Sequence, residues 1–243
     1  MTTGSLKSRG DGLEPGVTEP KPAAGSGGAK VRKLSPMGTD TRNKLLDAAE
    51  RLFAEYGYAG TSLRDISNDA GLHIALCTYY FGKKEFLFEE VIRRRAVTLT
   101  KERMARIQAV DTTRVSSSEA VDLLLKAYST PILNYRFGPS KQRKAYVKLI
   151  SHIFNLESWS ESLSTNYKST TKSFLDAMQA ALPDASKDDL VNAYSYLIAS
   201  LLFICSYPNR FDEFKNNPDS KSENMASAIS DFFRFNHSIF MSL

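Results

Sequence analysis

The chain reads as all-α, with a short N-terminal group of helices followed by a longer helical body. Three observations carry that expectation. From Thr39 onward apolar residues recur at helical spacing, glycines fall between the apolar runs rather than inside them, and no alternating pattern of useful length competes as a strand. The 243 residues suffice for one large or two modest domains, and 42% apolar with 24% charged residues is an ordinary globular balance. The longest apolar run, Leu197 to Cys205, is shorter than the roughly 18 residues that span a bilayer, so no membrane association is expected. The N-terminus lacks the apolar core of a secretory signal, which points to the cytoplasm. Cys77 and Cys205 stand alone and three histidines are scattered, so neither a metal site, a disulfide nor a cofactor is expected.

Residues 1–38 hold eight of the thirteen glycines, four of the nine prolines and no aromatic residue. Such a segment buries too little apolar surface to offset its ordering entropy and reads as a disordered tail, basic at its end through Lys30, Arg32 and Lys33. Beyond it, Leu45, Leu46, Ala49, Leu52, Phe53 and Tyr56 line one face of an amphipathic helix that Gly57 ends. Thr61 and Ser62 offer capping oxygens to a short helix carrying Leu63, Ile66 and Ala70, which Gly71 ends. A third helix runs from Ile74 to Phe81, and a long one from about Glu85 to Ile107.

Capping-box patterns at Ser116 with Glu119, Ser158 with Glu161 and Ser220 with Glu223 mark further starts. They predict helices near 119–136, 140–156, 161–182, 186–206 and 222–241. Pro183 and Pro208 fall in connections, and Pro131 is expected to kink its helix.

Two short helices joined at Gly71, braced by a longer helix on either side, have the layout of a helix-turn-helix. Such a unit needs an apolar inner face, here Leu63, Ile66, Ala70 and Leu72, and a small or polar outer face on its second helix for a major groove. Thr41 to Val91, reading TRNKLLDAAERLFAEYGYAGTSLRDISNDAGLHIALCTYYFGKKEFLFEEV, resembles the N-terminal DNA-binding domain of the TetR family of bacterial transcriptional regulators. The likeness rests on LLDAAERLFAEYGY, TSLRDIS, AGL and YYFGKKEFLF together; beyond about residue 107 only length, helical character and helix order agree.

The resemblance implies a three-helix DNA-binding domain over 39–90 and a larger effector-binding and dimerisation domain over 91–243. It places Thr61, Ser62 and Arg64 against phosphate or a base edge, Tyr79 on the sugar–phosphate backbone, and Lys83 and Lys84 at phosphates. The recognition helix would present His73, Ile74, Ala75, Leu76 and Thr78, with His73 a helix-start residue contacting backbone. That face is unusually apolar, so base reading would rest on Thr78, His73 and thymine-methyl contacts. Its pattern is closer to a branch some of whose members respond to fatty acyl compounds. Cys77 reads as a small core residue.

The aromatics of the second half sit at helical spacing and read as core; no ligand residue stands out among them. The resemblance implies a homodimer through the last two long helices, at Leu190, Tyr194, Leu197, Ile198 and Leu201 on one and Ile229, Phe232 and Phe233 on the other. It also implies operator DNA and a small apolar or amphipathic effector as partners, with repression relieved by that effector. An enzyme is not expected, for want of a triad, a phosphate loop or a carboxylate pair. The alternative is a helical ligand-binding or scaffolding protein of the same fold without specific DNA binding. The formal charge of +5 does not decide between them: Thr41 to Arg95 holds nine Lys and Arg against eight Asp and Glu.

Overall fold

The computed structural model describes residues 36–154, 156–207, 210–216 and 219–243, and among them the regular structure is helical throughout. Four helices make the first part: α1 (Pro36–Tyr56), α2 (Leu63–Asp69), α3 (Ile74–Phe81) and α4 (Lys84–Gln108). Five follow: α5 (Ser117–Phe137), α6 (Lys141–Ile153), α7 (Glu157–Ala181), α8 (Lys187–Ser206) and α9 (Lys221–Met241), with a single 3₁₀ turn at Asp212–Phe214 before α9.

Helix α1 starts at Pro36, inside the segment expected to be tail, because proline's fixed φ and missing N–H suit a first helical turn. The basic residues Lys30, Arg32 and Lys33 lie outside the described residues, as does Pro208. Gly57 and Gly71 adopt φ of 72° and 65° where the sequence places helix ends, a left-handed conformation that costs glycine little. Ser62 caps α2 in a reciprocal box: its side chain accepts from the Asp65 amide while the Asp65 carboxylate accepts from the Ser62 amide. The Ser62 hydroxyl also donates to that carboxylate at 2.6 Å, and this bond with the amide bond holds the Asp65 carboxyl below its usual range.

Ser116 caps α5 as expected, accepting from the Glu119 amide. The other two boxes are corrected. Helix α7 already begins at Glu157 with Leu156 at its cap position, so 158 lies within it; Ser220 precedes α9 but makes no side-chain cap bond. Ser140 and Ser186 cap α6 and α8 instead, through the amides of Arg143 and Asp189. Helix α5 runs unbroken through the buried Pro131.

Two hydrophobic cores result. One gathers Leu45, Leu46, Phe53, Ile66, Cys77, Phe81, Leu87 and Phe88 from α1–α4, and also takes in Leu149 and Ile153 of α6 and Trp159 of α7. The other joins α4, α5, α7, α8 and α9 around Leu99, Tyr128, Phe174, Leu197 and Phe240. Helix α4 contributes to both. Trp159, the chain's single tryptophan, is fully buried at 4.3 Å from the Phe88 ring centre and 5.2 Å from that of Tyr58, pinning α7 to the first core.

A buried carboxylate fixes α1 to α4. Glu50 is 1% exposed and accepts from Arg94 at 2.5 Å and from the Nε of Arg95 at 3.0 Å, while Arg94 also reaches Asp47 at 2.8 Å. Both arginines keep some solvent contact, so the pair is only partly desolvated.

Helix α8 differs from expectation: by length and composition it is long and apolar enough to cross a membrane. Its Leu190, Ala193, Leu197, Leu201 and Cys205 are buried within the protein. Burial pushes the Cys205 thiol up to about 12.

Two outcomes follow. Glu50→Ala should lower unfolding free energy by about 3 kcal/mol in urea melts, the lower end for breaking a buried ion pair because the arginines can rehydrate. Trp159 emission should be blue-shifted in the native protein and move red in the same transition that removes α1–α4 helicity, since the indole belongs to that core.

Candidate nucleic-acid interface and effector cavity

Helix α3 is anchored by Cys77 and Phe81, which are 0% and 7% exposed, and burial raises the Cys77 thiol above its usual range. The opposite face presents Ile74, Ala75, Thr78 and Tyr79 at i, i+1, i+4 and i+5, with Tyr79 70% exposed. Leu76 is half-buried. His73 is the exposed N-cap of α3, its Nδ1 accepting from the Ala75 amide at 3.2 Å. The Thr78 hydroxyl donates to the Ile74 carbonyl at 3.3 Å, so toward a base edge it has its lone pairs to offer.

Two of the expected phosphate ligands are built into the protein. Thr61 is 2% exposed and its hydroxyl donates to the carbonyls of Gly57, at 2.9 Å, and Leu52, at 3.2 Å. The Lys84 ammonium donates to the carbonyls of Tyr58 and Thr61, at 2.9 and 3.0 Å, and lies 4.2 Å from the Tyr58 ring centre. Those bonds tie the start of α4 to the loop before α2. Sequence spacing could not reveal them, because the partners are backbone carbonyls brought near by the fold. Ser62, Arg64 and Lys83 are exposed.

The charges of this part sort themselves. Arg42 and Arg93 pair with Glu90, Lys44 with Asp40, Arg51 with Asp69, and Arg94 and Arg95 with Glu50, while Lys84 is held by carbonyls. Of the basic residues between Thr41 and Arg95, that leaves Arg64 and Lys83 with neither an ion pair nor a hydrogen bond among the described residues. Arg64 sits on the first turn of α2, and Lys83 immediately precedes α4.

A second feature lies in the other core: a cavity of about 740 Å³ between α4, α5, α6, α7 and α8. Its wall is mostly apolar, with Ile132, Ile150, Leu163, Leu175, Ile198 and Leu202 among the lining residues. Among its polar groups, Tyr194 shares hydrogen bonds with the Tyr128 hydroxyl at 2.7 Å and the Thr171 hydroxyl at 2.8 Å, and Lys168, Lys172, Asp176 and Lys187 line the exposed side. Tyr167 bonds the Tyr146 hydroxyl, and burial lifts the Tyr167 phenol to about 12, so it stays protonated at neutral pH. Size and lining suit a small molecule.

The residues expected at the dimer face pack inward within this chain. Leu190, Leu197, Leu201 and Phe232 are 2%, 0%, 1% and 3% exposed, and Tyr194, Ile198, Ile229 and Phe233 pack half-buried against the same core. Both faces of α8 are apolar, and the sequence pattern does not reveal which one the chain keeps for itself. The outward face carries Tyr196, Phe203 and Tyr207 at 62%, 42% and 51% exposure, and α9 adds Phe235 at 59%.

An N-terminal helix-turn-helix joined to a larger helical domain with an internal cavity defines a class of DNA-binding protein architecture. The family model "Bacterial regulatory proteins, tetR family" matches residues 45–91, and "Tetracyclin repressor-like, C-terminal domain" matches residues 126–236. Together these span well over half the chain, which belongs to the TetR family. Among curated relatives, the HTH-type transcriptional repressor KstR2 of Rhodococcus jostii is 40% identical over 52 residues, 21% of this chain and 26% of that protein. The HTH-type transcriptional dual regulator CecR of Shigella flexneri is 45% identical over 51 residues, 21% of this chain and 22% of its own length. The chain thus matches only about a quarter of these relatives' length. A solved transcriptional regulator from Saccharomonospora viridis, in complex with choline, superposes with a TM-score of 0.54 at 15% identity, over 82% of this chain and 97% of that one. At that identity the likeness is one of fold.

Lys84→Ala should lower the thermal midpoint by removing two charge-assisted bonds, a loss of about 2 kcal/mol, whereas Lys83→Ala should leave it unchanged. Calorimetric melts of the two variants check this.

Proposed function

We propose that the protein is a homodimeric DNA-binding transcriptional regulator, a repressor released from its operator by a small apolar or amphipathic effector. The observation that carries the reading is the pattern of leftover charge. Nearly every cation around the helix-turn-helix is held in an ion pair or by carbonyls, while Arg64, on the first turn of α2, and Lys83, just before α4, make neither an ion pair nor a hydrogen bond among the described residues. A surface that cancels its charge elsewhere and spares it there suits phosphate contacts flanking a groove-reading helix. Ser62 and Tyr79 add polar and stacking contacts to the backbone, and the third ammonium proton of Lys84 remains for a phosphate. Ile74 and Ala75 favour thymine methyls, with Leu76 at the edge of that contact and His73 and Thr78 as the hydrogen-bonding readers. The division into a head over 39–90 and an effector and dimer body over 91–243 belongs to this reading.

In this account the dimer forms through the outward faces of α8 and α9, where Tyr196, Phe203, Tyr207 and Phe235 gather, as a four-helix interface. Two heads so related suit half-sites one turn of DNA apart. Effector entering the cavity moves α4, whose first turn is tied to the head. It releases DNA only as far as it binds the non-operator geometry more tightly.

Arg64→Ala and Lys83→Ala should each weaken binding to the gene's own upstream DNA by about 1–3 kcal/mol and flatten the salt dependence by about one counterion. Gel shifts across a salt series measure both, and an unchanged slope in both variants would sink the assignment. The apolar face of α3 favours one rival, a ligand-binding or scaffolding protein of the same fold; specific retardation of upstream DNA at moderate salt disposes of it. For the interface, Tyr196→Glu with Phe203→Glu should halve the mass measured by light scattering, and a mass unchanged from wild type would move the interface elsewhere.

A further inference from the structure

The cavity holds a buried cation with no counter-charge. Arg103, on α4, is 3% exposed and lines the cavity wall. Its Nε donates to the Tyr128 carbonyl at 2.8 Å, and its guanidinium lies 4.0 Å from the Tyr128 ring centre and 6.0 Å from that of Tyr167. Among the described residues no carboxylate pairs with it, and its two terminal nitrogens donate to no acceptor. The nearest acid in the cavity wall, Asp176, is exposed and already paired with Lys172 at 2.6 Å.

Burying an arginine without an anion is costly, and stacking on a phenol with one hydrogen bond recovers only part of that cost. Nε and the ring face fix the plane of the guanidinium, which leaves its terminal fork as the unsatisfied donor in a chamber whose apolar wall includes Ile132, Leu163, Leu175 and Ile198. A fork of that kind matches a carboxylate through two parallel bonds. The other charged residues of the wall, Lys168, Lys172, Asp176 and Lys187, are exposed, so Arg103 is its buried charge and balances one negative charge. The exposed Lys168 and Lys187 at the wall add a positive approach.

We propose that the effector is an amphipathic monocarboxylate, its head group seated on the Arg103 fork with help from the neighbouring tyrosine hydroxyls and its apolar body filling the cavity. This rests on the effector-binding reading above and names the ligand class. The placement also gives the ligand a lever. Arg103 and Lys84 stand on one helix, roughly 28 Å apart along its axis, so a charge seated at one end pulls on the element whose other end is bonded to the DNA-binding head.

The test uses the full chain and calorimetric titration with decanoate, decanol and decyltrimethylammonium, one apolar body under three head groups. Decanoate should bind at least about tenfold more tightly than decanol, and the cation more weakly than either. Arg103→Met should abolish the preference for decanoate while leaving decanol affinity within about twofold, and Arg103→Lys should keep part of it. Equal affinity for decanoate and decanol, absent decanoate binding, or full decanoate affinity in Arg103→Met would overturn the proposal. The wild-type head-group series decides by itself if Arg103→Met does not fold. Ligand-free gel shifts separate the two readings. Specific DNA binding without decanoate binding removes the carboxylate site and spares the regulator; decanoate preference without DNA binding does the reverse.

Discussion

The fold depends on how α4, which with α6 and α7 serves both cores, is held against α1, and a buried carboxylate does this. Glu50 on α1 accepts from adjacent arginines of α4, and removing a charge from such a cluster strands the others. Adjacent positions on a helix point about 100° apart, so gripping both Arg94 and Arg95 fixes the rotation of α4 as well as its distance from α1. Trp159 adds an apolar pin from α7 to Phe88 and Tyr58. With α4 held near its middle in this way, its later turns carry Leu99 and Ile107 into the second core and Arg103 into the wall of the cavity.

The same region illustrates why net charge is a poor guide to a DNA-binding surface. Basic and acidic residues nearly balance over Thr41–Arg95, yet the balance is reached pair by pair, through Glu90, Asp40, Asp69 and Glu50. Local cancellation leaves Arg64 and Lys83 as the cations that project a field. A uniformly basic head would bind any polyanion; a few placed charges orient a helix whose outer face is small and apolar.

Much of the architecture was legible in the sequence because it is written in local signals. Apolar periodicity, the glycine stops at Gly57 and Gly71 and the hydroxyl caps at Ser62 and Ser116 each act within one turn. Features set by tertiary partners were not legible. Ser158 carries the same local pattern as Ser116 but falls inside α7, since packing of Trp159 extends the helix upstream. Thr61 and Lys84 read from the sequence as phosphate ligands, and the carbonyls that also hold them in the folded chain leave no local mark. Leu190, Leu197 and Phe232 share their apolar character with Tyr196, Phe203 and Phe235, and only assembly decides which set faces the core. Arg103 was invisible for the same reason: within a run of charged residues on α4, nothing local marks the one that turns inward.

The central claim is that cavity and head communicate through α4, and head separation in the proposed dimer tests it most directly. Cys77 and Cys205 are both buried, so a cysteine introduced at the exposed Asn68 can carry a spin label in each protomer. Distances between the two labels would then be measured by electron–electron resonance with and without decanoate. The account predicts a shifted distance distribution on adding decanoate to the wild-type background and no shift with Arg103→Met. A distribution unmoved by saturating, calorimetrically verified ligand would contradict it.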